Sequence, residues 1–487
     1  MTKKYTIGID VGTTGTKSIL FCESGEAVAH AYRPYPLYNS ALNHSEQEAL
    51  DWWEAIAATV GEVCADIDAS AVTAISLSTQ GGTVVPIDKC ANPIRRAIVW
   101  NDHRFTAERE KYLSEIGAPE TLYEKCGWKL GTGLPMLAIR YLRDNEPEVF
   151  AKADKFLSVP DFVALKMTGR AAVDLSNAGI NELCDINKKA YDKTLLSFAG
   201  IDEQRLAEIV SSGEVIGHLT KDAAQKLGLT EATVLVAGAH DQYAVSLGAG
   251  AVEPGDILIG SGTCWVVTAM GESLDFSSGF AQSVAAVPGL YGTLRSLSTG
   301  GVCLEWLRKL LKVEKDELID YKLINEKVCE RTAAEDGLFF YPFSGIHPFK
   351  QGAFIGLDLS HDAFHMARAI MEGVVFEIVW MMEAFKTKPS KDGLKLAGGA
   401  TKSEVWCQML ADISGLPVRI PALADLACVG AAIIAGVGAG TYKSAEDGYS
   451  AFAVSERVIY PRPEMTERYA PLLKKYKEIA AALGSAQ

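Results

Sequence analysis

The first candidate for chemistry is the segment Asp10–Lys17, which reads DVGTTGTK. Gly12 and Gly15 allow the backbone to turn sharply and to approach a ligand closely. Backbone N–H and hydroxyl groups in such a turn can hold phosphate oxygens. The hydroxyl groups are those of Thr13, Thr14 and Thr16.

Charged residues flank this turn on both sides. Lys17 would add a positive charge beside a bound phosphate. Asp10 is expected at a strand end, where it could hold the water shell of Mg²⁺, a cation that takes one or two carboxylates together with phosphate oxygens. A polar hairpin without a ligand would contain the same residues, so this motif alone leaves both interpretations open. It is not a P-loop, because the order G-x-x-x-x-G-K-[ST] is absent.

A second candidate is Asp241. An apolar strand that begins at Thr233 stops at Gly238, and a helix of small residues is predicted over Gln242–Leu247. A carboxylate held at a rigid strand end suits a general base that must reach a substrate hydroxyl. The alternative is a plain N-cap that accepts hydrogen bonds from the helix N–H groups. The neighbouring His240 is expected to be structural rather than catalytic.

A third candidate is the turn Gly398-Gly399-Ala400, which follows a predicted strand. A Gly-Gly turn lets a flat ring approach the backbone, so a nucleotide base could lie there. A tight turn that contacts no ligand is the alternative. Ser403 is predicted to cap the next helix and Gly415 to end it. The apolar face of that helix would contain Trp406, Met409, Leu410 and Ile413.

One internal similarity connects the two halves of the chain. Ile9–Thr13 resembles Ile259–Thr263 at an offset of 250 residues. Each segment leads into a second apolar strand, predicted over Lys17–Phe21 and Trp265–Ala269. Two related domains would explain this pattern, and two such hairpins could clamp one polyphosphate. Chance similarity over so short a stretch is the alternative.

The predicted secondary structure places the first motif among strands. Three strands are expected over Tyr5–Val11, Thr16–Cys22 and Ala27–Tyr32. A helix is predicted over Gln47–Ala65 and a buried strand over Ala71–Ser78. The buried face of the helix would hold Leu50, Trp53, Ile56, Val60 and Cys64.

Three later segments organise the rest of the chain. Gly248–Gly255 is rich in Gly and Ala and is expected to separate two domains. A charged surface helix is expected from about Glu314 to Asp336. A helix of small residues over Leu426–Gly436 is expected to pack closely against a sheet, with no direct chemical role.

Composition excludes several classes of protein. The chain has 487 residues and a net charge of −14, from 47 Lys and Arg against 61 Asp and Glu. Its 22% charged and 48% hydrophobic residues are typical of a globular protein and argue against disorder. Nucleic-acid binding is not expected, because polyphosphate partners select clustered Lys and Arg and the basic runs here are no longer than Arg95-Arg96.

The sequence also bears on location. No apolar run approaches the roughly 20 residues of a membrane-spanning helix. Asp10 and the turn after it come too early for a secretory signal. We therefore expect no membrane contact and a cytoplasmic protein. The ten cysteines contain no C-x-x-C pair, so neither a zinc site nor a disulfide framework is predicted.

Taken together and in order, these motifs resemble those of the FGGY carbohydrate kinases, within the superfamily of actin, Hsp70 and hexokinase-type ATPases. The resemblance covers essentially the whole chain. It rests on the first phosphate loop Asp10–Lys17, the substrate-side segment Trp100-Asn101-Asp102 with Arg104, the catalytic segment Gly238–Gln242, the second phosphate loop Gly260–Thr263, the nucleotide-side turns Gly300-Gly301 and Gly398-Gly399-Ala400, and the closing helix Asp425–Gly436.

The resemblance implies an α/β fold with two ribonuclease-H-like, actin-like ATPase domains, whose mixed sheets flank a cleft. Residues 1–247 would form the sugar-side domain with the first phosphate loop and the catalytic Asp, and residues 248–487 the nucleotide-side domain. ATP and Mg²⁺ would be the cofactors. The reaction would be ATP-dependent phosphorylation of a hydroxyl of a small sugar or polyol.

The resemblance also implies roles for individual residues. Asp241 would be the catalytic base, and Asp10 and Asp241 would hold Mg²⁺ through water. The nucleotide would contact Asp10, Gly12, Thr13, Thr14, Thr16, Lys17, Gly262, Thr263, Gly300, Gly301, Gly398, Gly399, Ala400 and Ser403. The substrate would contact Gln80, Gly81, Trp100, Asn101, Asp102, Asp241 and Gln242.

The acceptor is less well defined by these motifs. Thr79-Gln80-Gly81 stands where xylulose-specific relatives carry Met-His-Gly and glycerol kinases carry Arg-Glu. Asn101 and Asp102 resemble the xylulokinase pattern, whereas Gln242 is more similar to the glycerol kinases. A ketopentose such as xylulose is the leading prediction, and glycerol, erythritol or another sugar is the alternative. An actin- or Hsp70-like ATP-driven binding protein is the alternative from a different class, and a homodimer is usual among relatives.

Overall fold

The fold is described from a computed structural model of the chain, which describes residues 3–116, 119–130, 133–311, 318–349, 351–452 and 455–485. The chain forms two compact units, each built from segments that are not adjacent in sequence. The first unit comprises Met1–Val252, Glu272–Gly292 and Leu423–Val454. The second comprises Glu253–Gly271, Thr293–Ala422 and Ser455–Gln487.

The described chain mixes runs of strands with runs of helices, as in a mixed α/β fold. The strands are β1 (Tyr5–Val11), β2 (Gly15–Cys22), β3 (Ala27–Pro34), β4 (Glu46–Gln47), β5 (Val72–Thr79), β6 (Val85–Ile87), β7 (Ala97–Ile98), β8 (Lys155–Leu157), β9 (Ala172–Asp174), β10 (Cys184–Asp185), β11 (Ala190–Tyr191), β12 (Glu208–Val210), β13 (Val215–His218), β14 (Val234–His240), β15 (Ile257–Ser261), β16 (Trp265–Gly271), β17 (Ala281–Val284), β18 (Tyr291–Leu297), β19 (Phe339–Tyr341), β20 (Ala353–Ile355), β21 (Leu394–Gly398), β22 (Val418–Pro421) and β23 (Glu456–Ile459).

The α-helices are α1 (Ala49–Val63), α2 (Arg109–Ile116), α3 (Pro119–Cys126), α4 (Pro135–Asn145), α5 (Pro147–Lys152), α6 (Val159–Thr168), α7 (Leu175–Ile180), α8 (Lys193–Ala199), α9 (Lys221–Leu227), α10 (Asp241–Gly248), α11 (Gly301–Leu310), α12 (Tyr321–Val328), α13 (Ala363–Glu383), α14 (Glu404–Ser414), α15 (Leu426–Gly438), α16 (Ala445–Phe452) and α17 (Pro463–Gly484). No helix in the described part of the chain is long and apolar enough to cross a membrane.

The main sheet of the first unit has the strand order β13-β14-β5-β1-β2-β3. β1 and β14 both run parallel to β5, whereas β1–β2 and β2–β3 are antiparallel pairs. In this register Asp10 lies opposite Ser78, and His240 lies opposite Thr79. The carboxyl ends of the three parallel strands therefore meet at one edge of the sheet, which is where ligands bind in many α/β proteins.

The sequence predictions for this region are confirmed, with one exception. The three opening strands, the helix and the buried strand form as β1, β2, β3, α1 and β5. Leu50 was predicted to be buried, but it is 46% exposed. The buried stripe of α1 begins at Ala49 and continues through Trp52, Trp53 and Ile56, which is the i, i+3, i+4, i+7 pattern of a helix face, so Leu50 falls outside it.

The helix α15 packs very closely within the first unit, as its small residues predicted. A Cβ atom on Gly8 of β1 would lie 1.9 Å from the carbonyl oxygen of Cys428, and one on Gly430 would lie 1.9 Å from that of Ala244. Glycine is therefore required at both contacts, because backbone atoms cannot make room for a side chain. The helix thus fixes β1 and α10, the elements that carry Asp10 and Asp241.

The second unit repeats the strand–turn–strand opening. β15 and β16 form an antiparallel hairpin, and β15 runs parallel to β21, with Ser261 opposite Gly398. β21 in turn pairs with β22, and β22 with β23. The internal similarity found in the sequence therefore corresponds to two hairpins, β1–β2 and β15–β16, each flanked by a parallel strand.

Two helix predictions for the second unit have different outcomes. α14 is confirmed: Ser403 caps it, Gly415 ends it in the left-handed region, and its predicted apolar face is buried. The continuous surface helix predicted from about Glu314 to Asp336 is wrong for the described residues, where α12 spans Tyr321–Val328 and a short 3₁₀ turn spans Ala334–Asp336. Residues 314–317 lie outside the described residues.

Candidate active site

Asp10 and Asp241 lie at the common edge of the parallel strands in the first unit. Ser78 Oγ donates a hydrogen bond of 2.8 Å to Asp10 Oδ1. The pKa of Asp10 is raised to about 6, chiefly because burial disfavours its charged form. The hydrogen bond from Ser78 opposes this rise, the negative charge of Asp241 adds to it, and the positive charge of Lys17 opposes it.

The chain holds Asp241 in place through its neighbours. α10 begins at Asp241 itself, and His240 occupies the N-cap position. Asp241 is therefore not the plain N-cap that was the alternative to a general base. His240 Nε2 lies 3.1 Å from Asp241 Oδ1, and Gln242 Nε2 donates to the same oxygen at 3.2 Å. The Asp241 side chain is 36% exposed, so a ligand can reach it.

Glycine and aromatic residues explain the geometry around this carboxylate. Gly238 passes so close to β5 that a Cβ atom would lie 1.8 Å from the carbonyl oxygen of Leu77. The buried ring of His240 packs edge-on to Trp128, with centroids 6.4 Å apart. A Cβ atom on Gly81 would lie 2.5 Å from the same His240 ring. Gly81 thus makes room for the histidine that contacts Asp241.

In the turn after β1, three backbone carbonyl groups are engaged by side chains of the protein. Tyr35 donates to the carbonyl oxygen of Gly12 at 2.6 Å. Gln47 Nε2 donates to that of Thr13 at 2.6 Å, and Tyr32 donates to that of Thr14 at 3.2 Å. Among the described residues, none accepts a hydrogen bond from the backbone N–H of Thr13 or Thr14. The turn therefore presents donors, which suits phosphate oxygens.

Two predicted phosphate contacts are engaged elsewhere. Thr16 is fully buried, and its hydroxyl lies 3.5 Å from that of Tyr35. Lys17 forms an ion pair with Asp425, at the start of α15. The charge of Lys17 is therefore already balanced within the first unit, and Thr16 faces the interior rather than a ligand.

Three of the predicted substrate residues, Gln80, Trp100 and Asn101, lie in different environments. Gln80 and Trp100 both contact Thr13: its hydroxyl donates to Gln80 Oε1 at 3.0 Å and accepts from Trp100 Nε1 at 3.2 Å. Trp100 is 47% exposed, whereas Gln80 is buried. Asn101 has a buried side-chain oxygen with no partner among the described residues.

Asp102 is placed differently from the prediction. It is fully buried, and its carboxylate accepts four hydrogen bonds, three from Arg104 and one from the backbone N–H of Ser45. An ionised carboxylate has about four lone-pair sites. Asp102 is therefore saturated by Arg104 and Ser45 and leaves no site for a sugar hydroxyl; Arg104 also pairs with Glu46.

The two carboxylates fit a magnesium site of a particular kind. Among the described residues, no group of three or more His, Cys, Asp and Glu side chains could hold a metal ion. Mg²⁺ needs no such group, because it keeps several waters and takes phosphate oxygens together with one or two carboxylates. The repulsion between Asp10 and Asp241 is a feature that a divalent cation would relieve.

The second unit contains a cavity of about 550 Å³. Its lining includes six residues predicted to contact the nucleotide: Gly262, Thr263, Gly301, Gly399, Ala400 and Ser403. The two other predicted glycines of this unit pack beside it. A Cβ atom on Gly300 would lie 2.2 Å from the Trp265 ring, and one on Gly398 would lie 2.6 Å from the Ser261 carbonyl oxygen.

Sequence reasoning missed part of this cavity. α12 contributes Tyr321 and Asn325 to its lining, from the region that was expected to be surface. Ser403 Oγ donates to Asn325 Oδ1 at 2.8 Å, and among the described residues no hydrogen bond engages the Asn325 amide nitrogen, so a donor remains for a ligand. Trp265 and Trp406 line the cavity with ring centroids 5.0 Å apart. No motif marks Asn325, because its role depends on where α12 packs.

Comparison with protein families accounts for most of the chain. Residues 5–248 match the model of the FGGY family of carbohydrate kinases, N-terminal domain. Residues 256–439 match the model of the FGGY family of carbohydrate kinases, C-terminal domain.

Individual relatives are similar over nearly their whole length. The chain is 28% identical to xylulose kinase of Bacillus subtilis (strain 168), over 98% of this chain and 96% of the relative. It is 27% identical to gluconokinase of the same organism, over 88% and 86%. Among solved structures, xylulose kinase from Rhodospirillum rubrum superposes with a TM-score of 0.92 at 27% identity, over 99% of both chains.

Proposed function

Because the chain belongs to the FGGY family of carbohydrate kinases and is a sugar kinase, we propose that it transfers the terminal phosphoryl group of Mg·ATP to a hydroxyl of a ketopentose such as xylulose. The observation that carries this proposal is the alignment of β1, β5 and β14, which brings Asp241 to the same sheet edge as Asp10. The Asp241 carboxylate is partly exposed and held by His240 and Gln242. The Asp10 carboxylate is close enough for the charge of Asp241 to raise its pKa.

The proposed roles follow from these environments. Asp241 orients the acceptor hydroxyl and takes its proton as the new bond forms, which is the task of a general base. His240 and Gln242 hold the carboxylate in position for this step. Asp10 and Asp241 would hold Mg²⁺ through water, and the cation would neutralise charge on the phosphates. Positioning and electrostatics dominate phosphoryl transfer, so little covalent work falls to the protein.

The nucleotide is proposed to bind in the cavity of the second unit. Its volume and mixed lining are within the range of small-molecule sites. The backbone N–H groups of Thr13 and Thr14 supply donors for the transferred phosphoryl group. We also propose that residues 1–247 form the sugar-side part of the protein and residues 248–487 the nucleotide-side part.

A neutral sugar is favoured over a sugar acid. The gluconokinase and xylulose kinase relatives are 27% and 28% identical to this chain, so identity alone does not choose between them. An unpaired cation beside the acceptor would strengthen the binding of a carboxylate substrate. Lys17 is paired with Asp425, and Arg104 is paired with Asp102 and Glu46. Two cations of the first unit are thus already neutralised, which favours an uncharged ketopentose.

The test is formation of ADP and sugar phosphate from Mg·ATP across a panel of acceptors. The panel contains D- and L-xylulose, ribulose, gluconate, glycerol and erythritol. Asp241→Asn should lower kcat by at least about a hundredfold, because general-base catalysis contributes about 10²–10⁴-fold, while ADP binding stays unchanged. Asp222→Asn, an exposed Asp in the first turn of α9, is the matched control and should keep full activity.

Each outcome has a defined meaning. A response to a ketopentose that disappears in Asp241→Asn supports the proposal. Activity with gluconate or glycerol alone would identify that compound as the acceptor instead of a ketopentose, and would leave the catalytic role of Asp241 unchanged. Near-full activity of Asp241→Asn would contradict the catalytic role of Asp241. ATP-dependent assembly of the protein, with no effect of any acceptor, would instead indicate an ATP-driven binding protein.

A further inference from the structure

A closed ring of hydrogen bonds connects the first phosphate turn to the substrate-side residues. Gln47, a residue of the short strand β4, donates from Nε2 to the carbonyl oxygen of Thr13 at 2.6 Å. Gln80 Nε2 donates to Gln47 Oε1 at 2.8 Å, and the Thr13 hydroxyl donates to Gln80 Oε1 at 3.0 Å. The residues Gln47 and Gln80 are 1% and 2% exposed, so the bond between their side chains is shielded from water, while the two bonds to Thr13 are part-buried.

Two tryptophans fix the direction of every proton in this ring. An indole N–H can only donate. Trp52 Nε1 donates to Gln47 Oε1 at 3.2 Å, so that atom of Gln47 must be the oxygen, and the Gln80 atom beside it must be the nitrogen. Gln80 therefore offers its oxygen to Thr13, and the Thr13 hydroxyl must donate to it.

The other end of the ring leads to the same assignment. Trp100 Nε1 lies 3.2 Å from the Thr13 hydroxyl, which must accept from it. A hydroxyl has one proton and two lone pairs. Its proton is given to Gln80 and one lone pair is taken by Trp100, so the hydroxyl has no proton left for a phosphate oxygen. What it retains is a lone pair, which can accept from a sugar hydroxyl.

We propose that Gln47 is a positioning residue of the transfer reaction, an inference that rests on the proposed function. Gln47 is 1% exposed, so it would act on the ligands through its hydrogen-bonded neighbours rather than by direct contact. Its side chain keeps the Thr13 carbonyl turned inward, so that the N–H groups of Thr13 and Thr14 remain the groups presented by the turn. Through Gln80 and Thr13 it also fixes Trp100, so that one buried amide aligns the phosphate turn with the substrate side.

The experiment compares Gln47→Met with Thr59→Val. Methionine keeps the length of the side chain but neither donates nor accepts a strong hydrogen bond, which leaves Thr13, Gln80 and Trp52 without their partner. Thr59 lies on α1, and in the described part of the chain its buried hydroxyl bonds to Ser18 and to the carbonyl oxygens of Ala55 and Ile56. Thr59→Val therefore removes buried hydrogen bonds of the same unit without touching the ring.

The expected result separates positioning from stability. Gln47→Met should lower kcat for sugar phosphorylation at least about tenfold, with the dissociation constant for Mg·ADP within about twofold of the wild type. Thr59→Val should lower the melting temperature comparably and keep kcat. Kinetics of Gln47→Met within about twofold of the wild type, or an equal loss of kcat in Thr59→Val, overturns the proposal.

A second variant tests the proton assignment and serves if Gln47→Met fails to fold. Thr13→Val removes the hydroxyl and keeps the backbone. It should leave the KM for ATP within about twofold, since that hydroxyl has no proton for phosphate, and raise the KM for the sugar. A large rise in the KM for ATP with an unchanged sugar KM overturns the assignment.

An activity-free measurement distinguishes failure of this inference from failure of the proposed function. In protein labelled with ¹⁵N-tryptophan, Gln47→Met should shift the indole N–H resonances of both Trp52 and Trp100, which Trp52→Phe and Trp100→Phe assign. If the wild-type protein phosphorylates no sugar, the proposed function is overturned. An unmoved Trp100 resonance shows that Gln47 does not reach the substrate side and overturns the positioning role.

Discussion

At the scale of single residues, the candidate site is defined by how each carboxylate is surrounded. Asp241 is partly exposed and held by His240 and Gln242. Asp10 is next to it but desolvated, and Asp102 is saturated by Arg104 and Ser45. Three aspartates that look alike in the sequence therefore have three different environments, which suit the proposed proton acceptor (Asp241), the proposed cation ligand (Asp10) and a structural contact (Asp102).

The raised pKa of Asp10 predicts a pH dependence of folding stability. The pKa is about 6 in the folded protein against an ordinary value of 3.8, so the folded state binds this proton more tightly than the unfolded chain. The resulting stabilisation is fully present below about pH 4 and is lost as the pH rises to about 6. Two pKa units correspond to about 3 kcal/mol.

Asp10→Asn tests this sign. The quantity to compare is the free energy of unfolding of the variant minus that of the wild type. This difference should be about 2–3 kcal/mol larger at pH 7.5 than at pH 4, because the variant carries no charge to desolvate at the higher pH. Urea unfolding of both proteins at the two pH values measures the difference. A difference in the free energy of unfolding that does not change between pH 4 and pH 7.5 would contradict the raised pKa.

At the scale of secondary-structure elements, close backbone contacts place the site. β14 approaches β5 at Gly238, and α15 approaches β1 at Gly8 and α10 at Gly430. These glycines let three strands and two helices come together tightly enough to align Asp10 with Asp241. These contacts fix the strands and helices that carry Asp10 and Asp241, because the glycines lack the side chains that would hold the backbones apart.

Gly8→Ala should destabilise the protein, since its methyl group would lie 1.9 Å from the Cys428 carbonyl oxygen. Overpacking of this kind costs typically about 1–3 kcal/mol, and more where backbone must move. Gly61→Ala in α1 is the matched control, because nothing lies within 4 Å of the added methyl group. It should be neutral or stabilising by up to about 1 kcal/mol, as alanine favours helix.

Thermal unfolding of both variants measures this contrast. The packing argument fails if Gly8→Ala is as stable as Gly61→Ala. A Gly8→Ala protein that loses activity at temperatures where it is still folded would show that the contact between β1 and α15 supports the position of Asp10.

At the scale of the whole molecule, the proposed chemistry is divided between the two units. The carboxylates and the ring around Gln47 belong to the first unit, and the 550 Å³ cavity belongs to the second. Each unit is discontinuous in sequence, with Leu423–Val454 returning to the first. Changes to the cavity should therefore affect nucleotide binding separately from acceptor binding.

Asn325→Leu tests this division. It removes the free amide donor from the cavity and leaves Ser403 without its acceptor, so nucleotide affinity should fall about 2–10-fold, as for one neutral hydrogen bond. The dissociation constant for Mg·ADP measured by calorimetry gives the effect. Lys322→Ala, exposed on the same helix α12, is the control and should bind ADP normally.

The acceptor side provides the complementary readout. The KM for the sugar at saturating ATP should stay within about twofold in Asn325→Leu. Unchanged ADP affinity in that variant would remove Asn325 from the nucleotide site, and a raised sugar KM with normal ADP affinity would contradict the assignment of the cavity.

The sequence by itself determined the elements and the motifs at their ends. Hydrophobic periodicity and glycine turns predicted the opening strands, α1, β5 and α14, and the two similar hairpins. The resemblance to the FGGY kinases, confirmed by both family domains, predicted the fold and the enzyme class. These features are local, or repeat at fixed spacing, so one chain is enough to reveal them.

Only the tertiary structure decided which polar groups are open to a ligand. Asp102, Thr16 and Lys17 have suitable chemistry, but buried partners from other elements already engage them. Asn325 and Gln47 carry no motif, yet packing brings one into the cavity and the other under the phosphate turn. The reason is physical: a hydrogen-bonding group has few sites, and residues distant in sequence determine whether those sites are already filled.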